Sequence, residues 1–177
     1  MNNSKIQWPS LPKETQYPHV TWDYVLGKEN DHAVKEWIKN CMNFLGDDVA
    51  IMGHSYGNDG KNEGIAVEIC KDCKCKILYC GAEVPHITIS TSEGAKAVNT
   101  AFLKFSRRNF TPFIITGKFG FYMEDGTIAY SILDIFDHGN VVYVGVFFDK
   151  ETLHNMSPET RWDYAMAQIE RLNPNAD

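Results

Sequence analysis

An α+β fold in which strands far outnumber helices is predicted by three features of the 177-residue sequence. Several segments alternate apolar and polar residues with a period of two, the mark of a half-buried strand. Clusters of Gly, Asn, Asp and Pro separate those segments and favour turns. The clearest helical period is confined to Asn30 to Leu45.

Residues 1–16 read as an N-terminal arm ahead of one domain over residues 17–177, because Pro9 and Pro12 interrupt any regular element around Trp8 and Leu11. The first strand is expected at Tyr17 to Leu26. Alternation puts Val20, Trp22, Tyr24 and Leu26 on a core face and Tyr17, His19, Thr21 and Asp23 on the other. From Asn30 to Leu45, Val34, Trp37, Ile38, Cys41, Phe44 and Leu45 recur at helical spacing, with Asn30 or Asp31 as N-cap and Gly46 as terminator. Strands are expected at Val49 to Met52, Ile65 to Cys70 and Lys76 to Cys80, with a mobile loop from Gly57 to Gly64. Val84 to Ser90 is another strand, with Pro85, Ile87 and Ile89 opposite His86, Thr88 and Ser90. Lys96 to Phe105 reads as a short helix. Pro112 to Met123, Thr127 to Leu133 and Val141 to Phe148 read as a second antiparallel sheet, turned at Asp125-Gly126 and His138-Gly139-Asn140. A last helix is expected to start with Ser157 as N-cap and Pro158 at its first position, burying Trp162, Ala165, Met166 and Ile169.

Composition narrows the function. Hydrophobic residues are 44% and charged residues 23%, the balance of a soluble globular protein. Met1 to Gln7 is polar, and no run reaches the roughly 18 apolar residues of a membrane span. A cytoplasmic protein without membrane contact is expected. A net charge of −6 argues against a partner with a long phosphate backbone, such as duplex nucleic acid, and favours a small nucleotide or an RNA end. Lysines and arginines at Lys71, Lys74, Lys76, Lys104, Arg107 and Arg108 leave room for a local basic rim. The five cysteines form an odd set and are expected to stay reduced. Cys70, Cys73 and Cys75 have a zinc-like spacing but lack a second pair to complete four ligands, so neither a metal nor another cofactor is expected.

Two segments carry the chemistry. Pro18-His19-Val20-Thr21-Trp22 and Pro85-His86-Ile87-Thr88-Ile89 share one local pattern, with His and Thr on one strand face and the residue between them turned to the core. Cleaving a phosphodiester needs a base for the attacking oxygen, an acid for the leaving oxygen and donors for the nonbridging oxygens. Histidine titrates near neutrality and can fill either of the first two roles. Threonine hydroxyls can supply the third. His19, Thr21, His86 and Thr88 are therefore the candidate catalytic set, and such a set needs no metal.

The blocks YPHVTWDY, VPHITISTSEGAKAVNT and FIITGKFGFY, spread over Tyr17 to Asp149, resemble those of the two-histidine phosphoesterases, especially the cyclic phosphodiesterase domains of plant and fungal tRNA ligases. The resemblance implies a bilobal, pseudo-symmetric fold: two antiparallel sheets flank a central cleft, with helices outside. It implies metal-independent hydrolysis of a 2′,3′-cyclic phosphate, on a mononucleotide or in RNA processing. Small phage enzymes with the same two HxT motifs destroy the cyclic di- and trinucleotide signals of bacterial immunity, an anti-CBASS activity. This chain resembles them in size, which would place it in a host cytoplasm. The match departs from the family pattern at Trp22 and Tyr24 and in the Cys-rich segment.

Around this set, Tyr17, Trp8, Tyr122 and Lys118 are candidate substrate contacts: Tyr17 and Trp8 for stacking on a base, with Trp8 reading more readily as an anchor of the arm in the core, and Tyr122 and Lys118 for a phosphate. His32, His54, His138 and His154 receive no role. Ser55 and Ser90 lack a GxSxG elbow, and the Gly57 to Gly64 stretch lacks the order of a P-loop. The rival expectations are a nucleotide-binding sponge or sensor with the same cleft, and an interaction domain whose cysteines hold zinc. A monomer is expected.

Overall fold

The computed structural model describes residues 7–70, 72–77, 81, 84–157 and 169. Its strands are β1 (Lys13–Glu14), β2 (His19–Tyr24), β3 (Asp48–Asn58), β4 (Asn62–Ile69), β5 (His86–Thr91), β6 (Phe113–Met123), β7 (Ile128–Ala129) and β8 (Val141–Phe147). The helices are α1 (His32–Met42) and α2 (Lys150–Asn155), with short 3-10 turns at Lys74–Ile77, Ala97–Phe102 and Leu133–Ile135. Among the described residues, no helix is long and apolar enough to cross a membrane.

This is a mixed α+β architecture with few helices, and every strand pairing among the described residues is antiparallel. The hydrogen bonding differs from the expected two sheets. β5, β2, β8, β6, β3 and β4 lie side by side in that order, and β4 pairs back onto β5, so a single sheet closes into a six-stranded barrel. Closure removes the exposed strand edges that an open sheet would leave. β1 and β2 share one edge of β5, while β7 flanks β6.

The alternation that predicts each strand also sorts the barrel's two faces. Val20, Trp22, Ile51, Ile65, Ile87, Phe119, Phe121, Val144 and Val146 are fully buried and form one core cluster. α1 lays Trp37, Ile38, Cys41 and Met42 against it. Asp31 caps this helix by accepting from the backbone N–H groups of Ala33 at 2.9 Å and Val34 at 3.3 Å. The opposite face bears the HxT residues and a second apolar cluster of Val142, Tyr143 and Phe147, packed with Tyr122, Ile128 and Tyr130.

Several expected elements differ. The stretch from Gly57 to Gly64 is no mobile loop: β3 and β4 run into it, and Asp59 closes a tight turn by accepting from the N–H groups of Lys61 and Asn62. The expected strand at Lys76 to Cys80 begins instead as the 3-10 turn Lys74–Ile77, and residues 78–80 lie outside the described residues. The Thr127 to Leu133 strand stops at Ala129, because Tyr130 N–H donates to Asp134 Oδ2 and Asp134 N–H to Ser131 Oγ, drawing the backbone away from the ladder. The Lys96 to Phe105 helix is the shorter 3-10 turn Ala97–Phe102. Of the helix expected after Ser157, Ile169 is the residue described: it is helical but 53% exposed where burial is expected, while Trp162, Ala165 and Met166 lie outside the described residues; α2, capped by Asp149, precedes Ser157.

The arm is part of the fold. Glu63 is fully buried, and its carboxylate accepts from Ser10 N–H at 2.9 Å, Ser10 Oγ at 2.8 Å, Ser90 Oγ at 2.7 Å and the Tyr56 hydroxyl. β1 then pairs with the end of β5, the strand that begins at His86. The strap thus runs beside the candidate site.

Candidate active site

β2 and β5 pair antiparallel with Val20 opposite Ile87. In antiparallel geometry this register places His19 across from Thr88 and Thr21 across from His86, all four on the face that Val20 and Ile87 turn away from. The two HxT motifs therefore interleave about a local two-fold axis. The bulge between Thr21 and Asp23 lets β2 leave β5 and continue along β8. Gly145 of β8 faces Thr21 at this point, and a Cβ there would lie 2.4 Å from the Val20 carbonyl oxygen. Only a glycine lets the strands approach so closely.

Each histidine is held in the same way. His19 Nδ1 lies 2.7 Å from the Tyr17 carbonyl oxygen, and His86 Nδ1 lies 2.9 Å from that of Val84. A carbonyl only accepts, so each Nδ1 carries the hydrogen and each Nε2 keeps a lone pair for proton transfer. Burial pushes the pKa of His19 below its usual 6.5, opposed by the Tyr17 carbonyl and aided by the charge of nearby His86. Burial lowers His86 likewise, against the pull of the Val84 carbonyl. Both rings are neutral at neutral pH in the free protein, and their mutual repulsion disfavours protonating both.

A cavity of about 510 Å³ opens over this set, within the usual size of a small-molecule site. His19, Thr21, His86 and Thr88 line it together with Thr15 of the arm and Tyr143 of β8. The chain matches no family model, curated protein or solved structure.

The predicted substrate contacts divide. Tyr17 is 39% exposed, and its backbone carbonyl, more than its ring, engages His19. Tyr122 stacks on Tyr143 at 4.9 Å, and Tyr143 stacks on His19 at 4.7 Å, so Tyr122 sits one ring behind the histidine. Lys118 pairs with Phe147, which pairs with His19; it shares their face but is two strands away from His19, exposed, and outside the cavity lining. Trp8 is not at the site. It is 3% exposed, stacks on Tyr56 and Phe110, and donates through Nε1 to the Leu153 carbonyl at 2.9 Å. Its size and apolar character draw it into the core.

Sequence reasoning missed Tyr24 and Tyr143. Simple alternation buries Tyr24, but the bulge resets the period and leaves it 55% exposed, stacked on Tyr143 at 5.7 Å and lining the cavity. Leu26, also expected in the core, is 39% exposed. Tyr143 lies in an otherwise apolar strand, and only its register with Tyr24 and Tyr122 reveals its place. Burial raises its hydroxyl pKa, so it stays protonated.

The remaining histidines are engaged elsewhere or exposed. His54 meets Ser55 Oγ at 2.8 Å, His138 meets Asp125 at 2.6 Å, His154 meets Glu14, and His32 is exposed at the start of α1. The Cys73 thiol contacts the backbone of Ala50, and burial pushes the Cys75 thiol up to about 12. Cys80 lies outside the described residues. Among the described residues, no group of three His, Cys, Asp or Glu side chains is arranged to hold a metal ion.

Proposed function

We propose that this protein is a metal-independent phosphodiesterase of the two-histidine type, acting on a small cyclic nucleotide or a cyclic phosphate at an RNA end. The observation that carries this reading is the Val20–Ile87 register, which interleaves two histidines and two threonines over one cavity. One Nε2 deprotonates the attacking oxygen, either water on a 2′,3′-cyclic phosphate or a ribose hydroxyl on an internal linkage. The other Nε2, protonated, delivers its hydrogen to the departing oxygen. Thr21 and Thr88 donate to the nonbridging oxygens, where negative charge grows in the transition state. This donor set supplies all three requirements from side chains alone.

The tyrosines support a nucleotide over a bare phosphate ester. Tyr24 presents an exposed ring at the cavity, backed by Tyr143 and Tyr122, a surface on which a base can stack. The resemblance to two-histidine enzymes points to the same chemistry. In this chain the proposed arrangement is built on a closed barrel, with the paired motifs on neighbouring strands.

The test is turnover by the purified protein in excess EDTA, over a panel of 2′,3′-cyclic mononucleotides, RNA ending in a cyclic phosphate, and cyclic di- and trinucleotides. Turnover of any member supports the reading and selects the substrate class. Tight binding with every ligand recovered intact would replace it by a nucleotide sponge.

A further inference from the structure

Behind Thr88 lies a buried polar chain that the two-histidine reading does not use. Asn62, at the start of β4, is 2% exposed, and Thr100, in the 3-10 turn Ala97–Phe102, is fully buried. Asn62 Nδ2 lies 2.9 Å from the Lys96 carbonyl oxygen and 3.1 Å from Thr100 Oγ1. Because the Lys96 carbonyl only accepts, the atom facing it is the amide nitrogen, and that nitrogen's second hydrogen goes to Thr100. Thr100 Oγ1 in turn lies 2.9 Å from Thr88 Oγ1. The packing of this turn is close: a Cβ on Gly64 would lie 2.4 Å from Thr100 Cγ2 and 2.9 Å from the Ile87 carbonyl oxygen.

The polarity of the chain follows from counting hydrogens. Thr100 Oγ1 already accepts from Asn62, so its own hydrogen has the Thr88 oxygen as its acceptor. If Thr88 donated to Thr100 instead, the Thr100 hydrogen would be buried without a partner, at a cost comparable to a lost hydrogen bond. With Thr100 donating, the Thr88 hydrogen keeps only a long contact of 3.5 Å with the Ala97 carbonyl oxygen, beyond the usual O–H···O range, and a better acceptor in the cavity that Thr88 lines can take it. A phosphate oxygen there only accepts.

We infer that Thr100, set by Asn62, is a positioning residue that turns the Thr88 hydroxyl outward as a ready-made donor to the substrate's nonbridging oxygen. This rests on the phosphodiesterase reading. It adds to it the origin of one catalytic donor's direction, which the HxT pattern alone does not contain. The chain is cooperative, since each hydroxyl that accepts becomes a better donor to the next.

The experiment is steady-state kinetics in EDTA, on whichever panel substrate the wild type turns over, for Thr88→Val, Thr100→Val, Thr100→Ser, the Thr88→Val/Thr100→Val double variant and His19→Ala. Thr100→Val keeps the shape and deletes the hydroxyl; kcat should fall about tenfold, the scale of one hydrogen bond to a charged group, with KM within about twofold. Thr100→Ser should restore kcat to within about twofold of the wild type. In the Thr88→Val background, Thr100→Val should cost nothing further, because it acts through the hydroxyl already removed. If Thr100→Val does not fold, Thr100→Cys, whose thiol is a weak donor, should show the same fall in kcat. His19-dependent turnover that is indifferent to Thr100→Val, or an equal loss in both backgrounds, would overturn the positioning role alone. Absence of His19-dependent turnover in the wild type would overturn the phosphodiesterase reading and this inference with it.

Discussion

Replacing Trp8 by alanine separates the role that the sequence first assigns to it from the place that it occupies. The indole is 3% exposed and stacked on Tyr56 at 5.8 Å and Phe110 at 6.2 Å. Truncating a buried tryptophan to alanine costs about 3–5 kcal/mol. The Nε1 bond to Leu153 adds about 1 kcal/mol, because that carbonyl keeps the Met156 N–H as a second partner. At about 2–4 °C per kcal/mol for a domain of this size, the melting temperature should fall by roughly 10–20 °C. Trp8→Phe keeps most of the stacking and should cost about 1–2 kcal/mol. The assay pairs thermal unfolding with KM for the best panel substrate, measured well below the variant's transition. The structure predicts a large loss of stability and an unchanged KM. An unchanged melting temperature with a KM raised about tenfold would put Trp8 at the substrate and refute the placement of the arm.

Three further outcomes follow from the site. For the proposed hydrolysis, with both histidines held below 6.5 by burial, the bell-shaped profile of kcat/KM, which reports the free protein, should be centred on the acid side of pH 6.5. The same depression links to stability: the folded state takes up protons less readily than the unfolded chain, so this part of stability is intact above pH 6.5 and is lost as pH falls through the lowered folded values, as chemical denaturation across pH 4 to 8 would record. Gly145→Ala would set a methyl 2.4 Å from the Val20 carbonyl oxygen, so it should cost about 1–3 kcal/mol and, by displacing β2 beside Thr21, lower kcat/KM at least about tenfold; a variant with wild-type melting and kinetics would show that the strands are not so close.

The site was legible in the sequence where period-two alternation runs unbroken. His19 and Thr21, and His86 and Thr88, share a face because two residues of strand return a side chain to the same side. α1 and its Asp31 cap were readable for similar local reasons. What was hidden depends on contacts between distant segments. The bulge after Thr21 is set by how β2 leaves β5 for β8, and it alone moves Tyr24 from an expected core face to the cavity. Barrel closure through β4 and β5 is a pairing whose strands are separated by the Cys-rich stretch, and nothing in either strand's pattern names its partner. Thr100 looks like any polar residue in a short helical turn; its importance lies in Asn62 and Thr88, which only the fold brings to it. Of the two readings open to Trp8 in an irregular arm, the core anchor favoured by its size is the one the fold adopts, and the ligand contact is not.

In the proposed reaction, two histidines on neighbouring strands divide one proton-transfer task. The most direct measurement is the single-turnover rate, in EDTA, of His19→Ala, His86→Ala and the double variant, beside the wild type and on the substrate that it turns over. Each single variant should lose at least about 100-fold, and the double little more than the worse single, because a base without its acid is already idle. Full activity in either single variant, or losses that multiply in the double, would rule out that division of labour.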